Sequence, residues 1–564
     1  MPTIEISKKD LNELVRIKFN LEEAMPLLKA EVTHDEKDKD KLKIELKDVN
    51  RPDLLSVEGI AREIRLKAGI EKPIHKQKLE KNGLVMNVDP KIKTIRPITL
   101  CVVAKDLKIT EEFLKQLIQL QEKLCETFGR KRKEASLGIY DFDKINWPIK
   151  YLPKDPMTFS FKPLGMDKEY TLKKILSINE KGKEYGKLIE NFKEYPIIID
   201  AKDHVLSMPP IINSDYSGKV TTETKNLFVE VTGNNDRFVE SVLNTVVLVL
   251  IERGAKIEQV TIKYSEKEKR VSPDIEPNLM KISPEEINST LGLNLTNKQI
   301  LDLLEKAGYG VEETSRGKVN DIAILIPFYR QDILDARDVI EDIAIAYGYN
   351  ELEPEMPNIF TIGKVSKDSI VIEKLANLLA GLGSQEISNF ILTNKEILFK
   401  KMNIKTPDER EVIEIANPMS VLYSCMRNAL LPEMLDFLTE NKNARYPQEI
   451  FEIGKTINIE NQRPKEAINL SYVIASSESN FMKIKSVLDL LSNVLGFEYS
   501  LEQVKNNSFI EGRAAKILLK KKDSKGSDKI EEIGIIGEIS PAVLENFNLG
   551  MPVTALEMNL DWMI

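Results

Sequence analysis

The sequence predicts a multidomain α+β protein, and three observations carry that expectation. A chain of 564 residues outgrows a single hydrophobic core, which favours about three to five domains. Short stretches with apolar residues at every second position alternate irregularly with amphipathic helical stretches, the pattern of mixed sheets and helices rather than of strictly wound βα units. No repeat period or low-complexity tract intervenes. The polar stretch at 71–82 and the linker-like SerProAspIleGluPro at 272–277 mark boundaries. The expected division is 1–85, 86–270, 271–355 and 356–564.

Taken in order, 1–85 alternates short strands and helices. LysIleGluLeu at 43–46 has the period of a half-buried strand. Asn50 or Asp53 can cap a helix carrying Leu54, Leu55, Val57, Ile60, Ala61 and Ile64, with Gly69 closing it. In 86–270, a helix over 110–127 starts at Thr110 and turns Phe113, Leu114, Leu117, Ile118 and Leu124 inward. The following ArgLysArgLys at 130–133 reads as a solvated helix end or as a phosphate contact. TyrProIleIleIleAsp and ValLeuSerMet read as strands, and Pro209-Pro210 forces the chain out of the sheet. A helix over 236–252 and a strand over 257–264 close this region. In 271–355, Ser283-Pro284-Glu285-Glu286 opens the first of two short helices across a glycine turn, a helix-turn-helix-like unit. Its second helix carries as many acids as bases, which argues against DNA reading. From 356 on, strands at 387–392, 449–455, 468–473 and 529–537 and helices at 367–381, 422–440 and 480–495 suggest an antiparallel sheet with helices.

Bulk properties exclude several classes. The net charge of −8 excludes a globally basic nucleic-acid binder, so any RNA contact must use local patches. Cys101, Cys125 and Cys425 are far apart and form no CxxC motif, which excludes a disulfide scaffold or zinc ribbon and fits a reducing, cytoplasmic setting. The N-terminus has no basic n-region, and the longest apolar run, 246–251, is far too short to span a bilayer, so neither signal peptide nor membrane contact is expected. Gly454-Lys455-Thr456 ends like a P-loop, but the first glycine is missing at Glu449.

Residues 328–350 are the most informative stretch. Asp332 reads as a helix N-cap with Asp335 as its capping-box partner. Asp338, Glu341 and Asp342 then share one helix face. Like charges this close are unfavourable unless neutralised. A magnesium ion would neutralise them; acids that complement the helix macrodipole need no metal.

This stretch, with AsnArgProAspLeuLeuSerValGluGlyIleAlaArgGluIleArg (50–65), LeuSerMetProProIleIleAsnSerAsp (206–215) and PheValGluValThrGly (228–233), resembles the β subunit of phenylalanyl-tRNA synthetase, archaeal/eukaryotic type. AsnProMetSer (417–420), ArgAsnAlaLeuLeuPro (427–432), PheGluIleGly (451–454) and GlyGluIleSerPro (537–541) continue the match, so it covers essentially the whole chain. The resemblance implies an α2β2 ligase that uses ATP to join phenylalanine to tRNA(Phe), with phenylalanine and ATP bound on the α subunit. It implies that 356–564 has a class II synthetase catalytic fold without its chemistry, because no GlyXaaGlyXaaXaaXaaArg motif is present, and that Arg427 is a fold or interface residue. It also implies that 86–270 edits Tyr-tRNA(Phe). Glu230 would accept the tyrosyl hydroxyl, with Thr232 on the same face of the strand. The ProPro turn would supply backbone amides, and Asn213, Ser214 and Asp215 would orient the ester and a water, with Ser207 facing the same region. Relatives can carry histidine where this chain has Tyr140, so no base is assigned there. His204 reads as a polar turn residue. Asp332, Asp338, Glu341 and Asp342 match the family's magnesium ligands near the α-subunit interface, while Asp335 falls outside that set as a cap. Two further readings remain: a stand-alone trans-editing hydrolase, and a non-catalytic RNA-binding scaffold.

Overall fold

The computed structural model describes residues 2–35, 37–74, 78–312, 321–405, 412–522 and 528–563. Glu36, in the charged turn, and residues 75–77, in the first boundary stretch, lie outside them. The chain divides into two compact units, Met1–Met356 and Pro357–Ile564. Among the described residues no helix is long and apolar enough to cross a membrane.

In the first unit, strand Lys41–Leu46 sits between Thr3–Ser7 and Ala30–His34 in an antiparallel sheet. Its buried side chains alternate as its period requires. The next helix, Val57–Lys67, is capped by Ser56, whose hydroxyl accepts from the Gly59 amide, not by Asn50 or Asp53. Leu54 and Leu55 instead lie in a 3-10 turn, Pro52–Leu55. The Asp53 carboxylate is engaged by Arg51, through Nε and Nη2 at 2.9 and 2.7 Å, which removes it from capping.

The large sheet of this unit places the site. Its strands run Ile212–Asn213, Val205–Met208, Tyr195–Ile199, Ile149–Lys154, Glu80–Val88, Lys256–Lys263, Ile98–Lys105, Leu227–Gly233, Ala135–Asp141, with Lys269–Ser272 pairing with Lys256–Lys263. Only the two pairings of Glu80–Val88 are parallel. Helix Asp236–Glu252 packs on Ile98–Lys105 and Leu227–Gly233. It is apolar enough to be buried along most of its length. Helix Glu111–Glu126 begins at Thr110, whose hydroxyl accepts from the Phe113 amide. Phe113, Leu117, Leu120 and Leu124 face the core, but Ile118 is exposed and Leu114 half-buried. Strand Val205–Met208 stops before Pro209, and the chain turns back to pair Ile212–Asn213 with it. A proline has no N–H for a ladder bond.

Residues 278–347 form a smaller group. Strands Asn278–Ile282, Ile322–Ile326 and Gly310–Val311 make a sheet. Helices Pro284–Leu291 and Asn297–Lys306 are capped by Ser283 and Thr296, and Gly292 supplies the left-handed turn between them at φ 69°. A third helix, Ala336–Tyr347, completes the core through Val339, Ile340 and Ile343.

The second unit is built on a seven-stranded sheet ordered Gln385–Glu386, Gln448–Glu460, Arg463–Ala475, Val553–Asn559, Asp528–Ile539, Phe509–Lys522, Glu498–Gln503. It is antiparallel except at the first pair. Helices Lys367–Gly381 and Phe481–Leu495 contribute Leu375, Leu379, Leu488 and Leu491 to its core. Two expectations change. Residues 387–392 form no continuous strand: Phe390 is 73% exposed and Asn389 instead binds the Glu452 carboxylate. The helix expected over 422–440 is only Leu431–Glu440, preceded by the short strand Cys425–Met426.

Candidate functional site

A cavity of about 360 Å³ opens beside the large sheet, between helix Glu111–Glu126 and the turn after Val205–Met208. Leu114, Leu117, Ile118 and Ile139 make its walls largely apolar, which is why Ile118 is not in the core. Ser207, Asn213 and Glu230, three of the residues singled out from sequence, line it; Ser136, Gln121 and Arg132 were not foreseen.

Glu230 is its most unusual group. It is 2% exposed on the strand Leu227–Gly233, one in from the sheet edge and hydrogen-bonded on both sides. Its Oε1 accepts from the Tyr140 hydroxyl at 2.9 Å. Its Oε2 has no hydrogen-bond partner, and Ser207 Oγ, although it lies beside the Tyr140 hydroxyl, makes no bond of good geometry. Burial pushes the Glu230 carboxyl up to about 7, against the opposing effects of the Tyr140 hydrogen bond and the Arg96 charge. Most buried polar atoms are paired, so two unpaired ones on one cavity mark a place where a ligand's polar group fits.

The other expected residues serve different purposes. Thr232 is buried, but its hydroxyl accepts from Arg96 Nε at 3.0 Å and pairs with Ser136 Oγ at 3.1 Å. It therefore fixes Arg96 and does not line the cavity. Ser214 donates its amide to the Leu206 carbonyl, and its hydroxyl faces Ser217. Asp215 forms an ion pair with Lys162 at 3.0 Å. Neither reaches the cavity. The turn also withholds several of the amides it was expected to supply. Pro209 and Pro210 have no N–H, and the amides of Ile211, Ser214 and Asp215 are taken by the carbonyls of Met208, Leu206 and Lys162. The turn's carbonyls at Pro210 and Ile211 instead accept from Arg132 Nη1, at 3.0 and 2.8 Å. Arg132 arrives there on three consecutive left-handed residues, Arg130, Lys131 and Arg132. Asn213 reaches the cavity while its Nδ2 donates to the Ile139 carbonyl. His204 lies in an exposed turn beside Asp200 and Tyr216.

The acidic segment resolves differently from its sequence reading. Asp335, not Asp332, caps helix Ala336–Tyr347, and Asp338 closes a reciprocal capping box. Asp338 Oδ2 accepts from the Leu334 and Asp335 amides at 2.6 and 3.0 Å. Asp332 accepts from Arg330 Nε and Nη2. The same Arg330 Nη2 donates to Asp342 at 2.6 Å, and the Tyr309 hydroxyl donates to Asp342 as well. Burial would raise the Asp342 carboxyl, but the Arg330 and Arg51 charges and these hydrogen bonds hold it below the usual carboxylate range. Glu341 pairs with Lys29 at 2.7 Å. Each acid thus has a protein partner, and among the described residues no group of three or more such side chains could hold a metal ion. The donor set of this chain alone, Asp332, Asp338, Glu341 and Asp342, does not fit the expected magnesium centre, because Arg330, Lys29 and backbone amides neutralise it first.

In the second unit, Arg427 is 2% exposed. It donates to Glu452 at 2.7 Å and to the Lys455 carbonyl at 2.9 Å. Gly454, Lys455 and Thr456 lie inside the long strand Gln448–Glu460, and Lys455 pairs with Glu466. No phosphate-binding loop forms there.

Comparison with known proteins bears on both units. Residues 352–560 match the family model described as the phenylalanyl tRNA synthetase beta chain CLM domain, and 280–349 match the tRNA synthetase B5 domain. The chain is 43% identical over 568 aligned positions to the phenylalanine–tRNA ligase beta subunit of Pyrococcus horikoshii, covering 99% of each. It is 44% identical to that of Pyrococcus furiosus, again covering 99% of each. Its identity to the beta subunit of Archaeoglobus fulgidus is 35%, over 91% of this chain and 90% of that one. The crystal structure of an N-terminal fragment of the phenylalanyl-tRNA synthetase beta subunit from Pyrococcus horikoshii superposes with a TM-score of 0.59 at 42% identity, covering 62% of this chain and all of the fragment.

Proposed function

The chain belongs to the family of phenylalanine–tRNA ligase β subunits, and from that premise we propose that it joins an α subunit in a cytoplasmic α2β2 ligase and clears tyrosine wrongly attached to tRNA(Phe). The α subunit performs the ATP-dependent attachment of phenylalanine. The Pro357–Ile564 unit, a class II-like fold, serves as its structural partner. Exposed Phe390, Val421 and Leu422, with Tyr423 beside Phe390, suit such a role. In that unit Arg427 is committed to Glu452 and the Lys455 carbonyl, so it holds the fold rather than a nucleotide.

Editing is required for a physical reason. A hydrophobic pocket for phenylalanine cannot strongly reject an analogue that merely adds a hydroxyl. A second site can exploit the hydroxyl instead. One observation carries the assignment: Glu230 presents a buried, unpaired carboxylate oxygen to an apolar-walled cavity. An ionised carboxylate only accepts, and a phenol hydroxyl donates. A tyrosyl group satisfies it; a phenylalanyl group leaves it unpaired, at about 1–3 kcal/mol. Ser207 Oγ can donate to the same phenol oxygen. Asn213, with its Nδ2 donating to the Ile139 carbonyl, keeps a carbonyl oxygen that can accept from a water. No side chain here is assigned as the base that activates the water.

The test is hydrolysis of Tyr-tRNA(Phe) and Phe-tRNA(Phe) by the full-length chain assembled with its α partner, wild type against Glu230→Ala. Selective loss of Tyr-tRNA clearance with aminoacylation intact supports the reading. Equal clearance by both proteins sinks it.

A further inference from the structure

We propose that Tyr140 is a positioning residue for Glu230 and that it sets the preference of the cavity for tyrosyl over phenylalanyl groups. This inference rests on the editing reading of the cavity given above. Tyr140 does not itself line the cavity, so it acts through Glu230 and not on the ligand.

Three observations place it in that role. Tyr140 is fully buried on strand Ala135–Asp141, with its ring stacked on Phe228 at 5.6 Å, so the ring is held by packing whether or not the hydroxyl is used. Its hydroxyl reaches diagonally across the strand pair to Glu230 Oε1, the spacing at which long side chains on neighbouring strands meet. The residue directly opposite Glu230 is Gly138. A Cβ built there would fall 2.2 Å from the Tyr140 hydroxyl and 2.6 Å from Glu230 Oε1. The missing side chain opens the space in which the bond forms, so Gly138, Tyr140 and Glu230 work as a unit.

The bond divides the two carboxylate oxygens. Oε1 is committed inside the sheet, and Oε2 remains without a partner. A carboxylate tethered at one oxygen cannot rotate to find a second internal donor. Its free oxygen therefore stays available to a donor that enters the cavity, and a phenylalanyl ring brings none. Without the tether, Glu230 can turn and the penalty for an unpaired oxygen shrinks, so discrimination falls. The hydrogen bond is charge-assisted whenever Glu230 is ionised, which makes it one of the stronger kind.

The experiment uses the full-length chain with its α partner and two non-hydrolysable probes, 3′-amide-linked tyrosyl-adenosine and phenylalanyl-adenosine. Tyr140→Phe removes one oxygen and keeps the stacked ring. The expected result is an about tenfold fall in the tyrosyl-to-phenylalanyl affinity ratio, with phenylalanyl-adenosine binding unchanged. In hydrolysis of Tyr-tRNA the loss is expected in KM more than in kcat. In a Glu230→Gln background, Tyr140→Phe should change the ratio less than about twofold, because coupled residues are not additive. An equal loss for both probes, an unchanged ratio, or the same tenfold fall in the Glu230→Gln background overturns the proposal. If the wild type prefers the tyrosyl probe in a Tyr140-dependent way yet hydrolyses no Tyr-tRNA, the editing reading fails and the positioning role stands. If neither probe binds, both fail.

Discussion

Replacing Glu230 by glutamine should stabilise the first unit at high pH while removing its discrimination. The carboxyl is pushed up to about 7 by burial, from an ordinary value of 4.5. Because the folded value lies above the unfolded one, the folded chain holds the proton more tightly. This contribution to stability is fully present below the unfolded value and is lost as pH rises through the folded one. Between pH 5 and pH 8 the loss is on the order of 2–3 kcal/mol. Glutamine is nearly isosteric, never ionises, and keeps an oxygen for the Tyr140 hydroxyl. The stability of Glu230→Gln relative to wild type should therefore grow by roughly 2–3 kcal/mol from pH 5 to pH 8. Global melting of so large a chain is not two-state. Native-state hydrogen exchange of the amides in Leu227–Gly233 is the suitable assay, because it reports the local opening free energy. A difference between the two proteins that stays constant from pH 5 to pH 8 would refute the reasoning, since it would mean that Glu230 gains or loses its proton as easily folded as unfolded.

Three further outcomes follow from the geometry. Gly138→Ala should abolish preferential Tyr-tRNA clearance with little loss of aminoacylation, because its Cβ would fall within 2.6 Å of both the Tyr140 hydroxyl and Glu230 Oε1; parallel hydrolysis and charging assays check this. Asp332→Ala should destabilise the 278–347 region by about 1–3 kcal/mol, because it strips a bidentate partner from the buried Arg330 guanidinium and leaves it Asp342 alone; chemical denaturation followed by exchange in that region measures it. The chain without its α partner should show no saturable magnesium uptake below about millimolar concentration in titration calorimetry, because Lys29 and Arg330 already neutralise the acids.

Much of the architecture was legible because the chain obeys local rules. Thr110, Ser283 and Gly292 punctuate helices where their chemistry says they should. The Pro209-Pro210 pair ends its strand for want of N–H groups. Glu230, which lines the cavity, stood out already through its strand and its family match. What the sequence hid was partnership. Nothing local reveals that Thr232 is held by Arg96, 136 positions away. Gly138 was hidden for the same reason, and Tyr140 was noticed only as a position where relatives can carry histidine. Their importance lies in facing Glu230 across a strand pair, and register is a tertiary property. The signal that could have found them was the alternation in AlaSerLeuGlyIleTyrAsp, which puts Gly138 and Tyr140 on one face of a strand.

The acidic helix shows why such a hidden partner changes chemistry and not only geometry. Clustered carboxylates need a neutralising cation, but their spacing does not name it. Arg330 lies just two residues before Asp332, and its planar fork donates to Asp332 while reaching Asp342. A guanidinium so placed lowers the affinity of the same oxygens for a dication, by direct repulsion as well as by occupancy. Asp338 is closed into a capping box and Glu341 into an ion pair with Lys29. Magnesium could enter only if further ligands from outside this chain outweighed the loss of these bonds. Metal affinity in this segment should therefore depend on assembly with the α subunit. Adding Lys29→Met should raise magnesium uptake in the assembled complex, since it frees Glu341 and removes a positive charge beside it. Uptake unchanged by Lys29→Met would show that Glu341 takes no part in holding a metal.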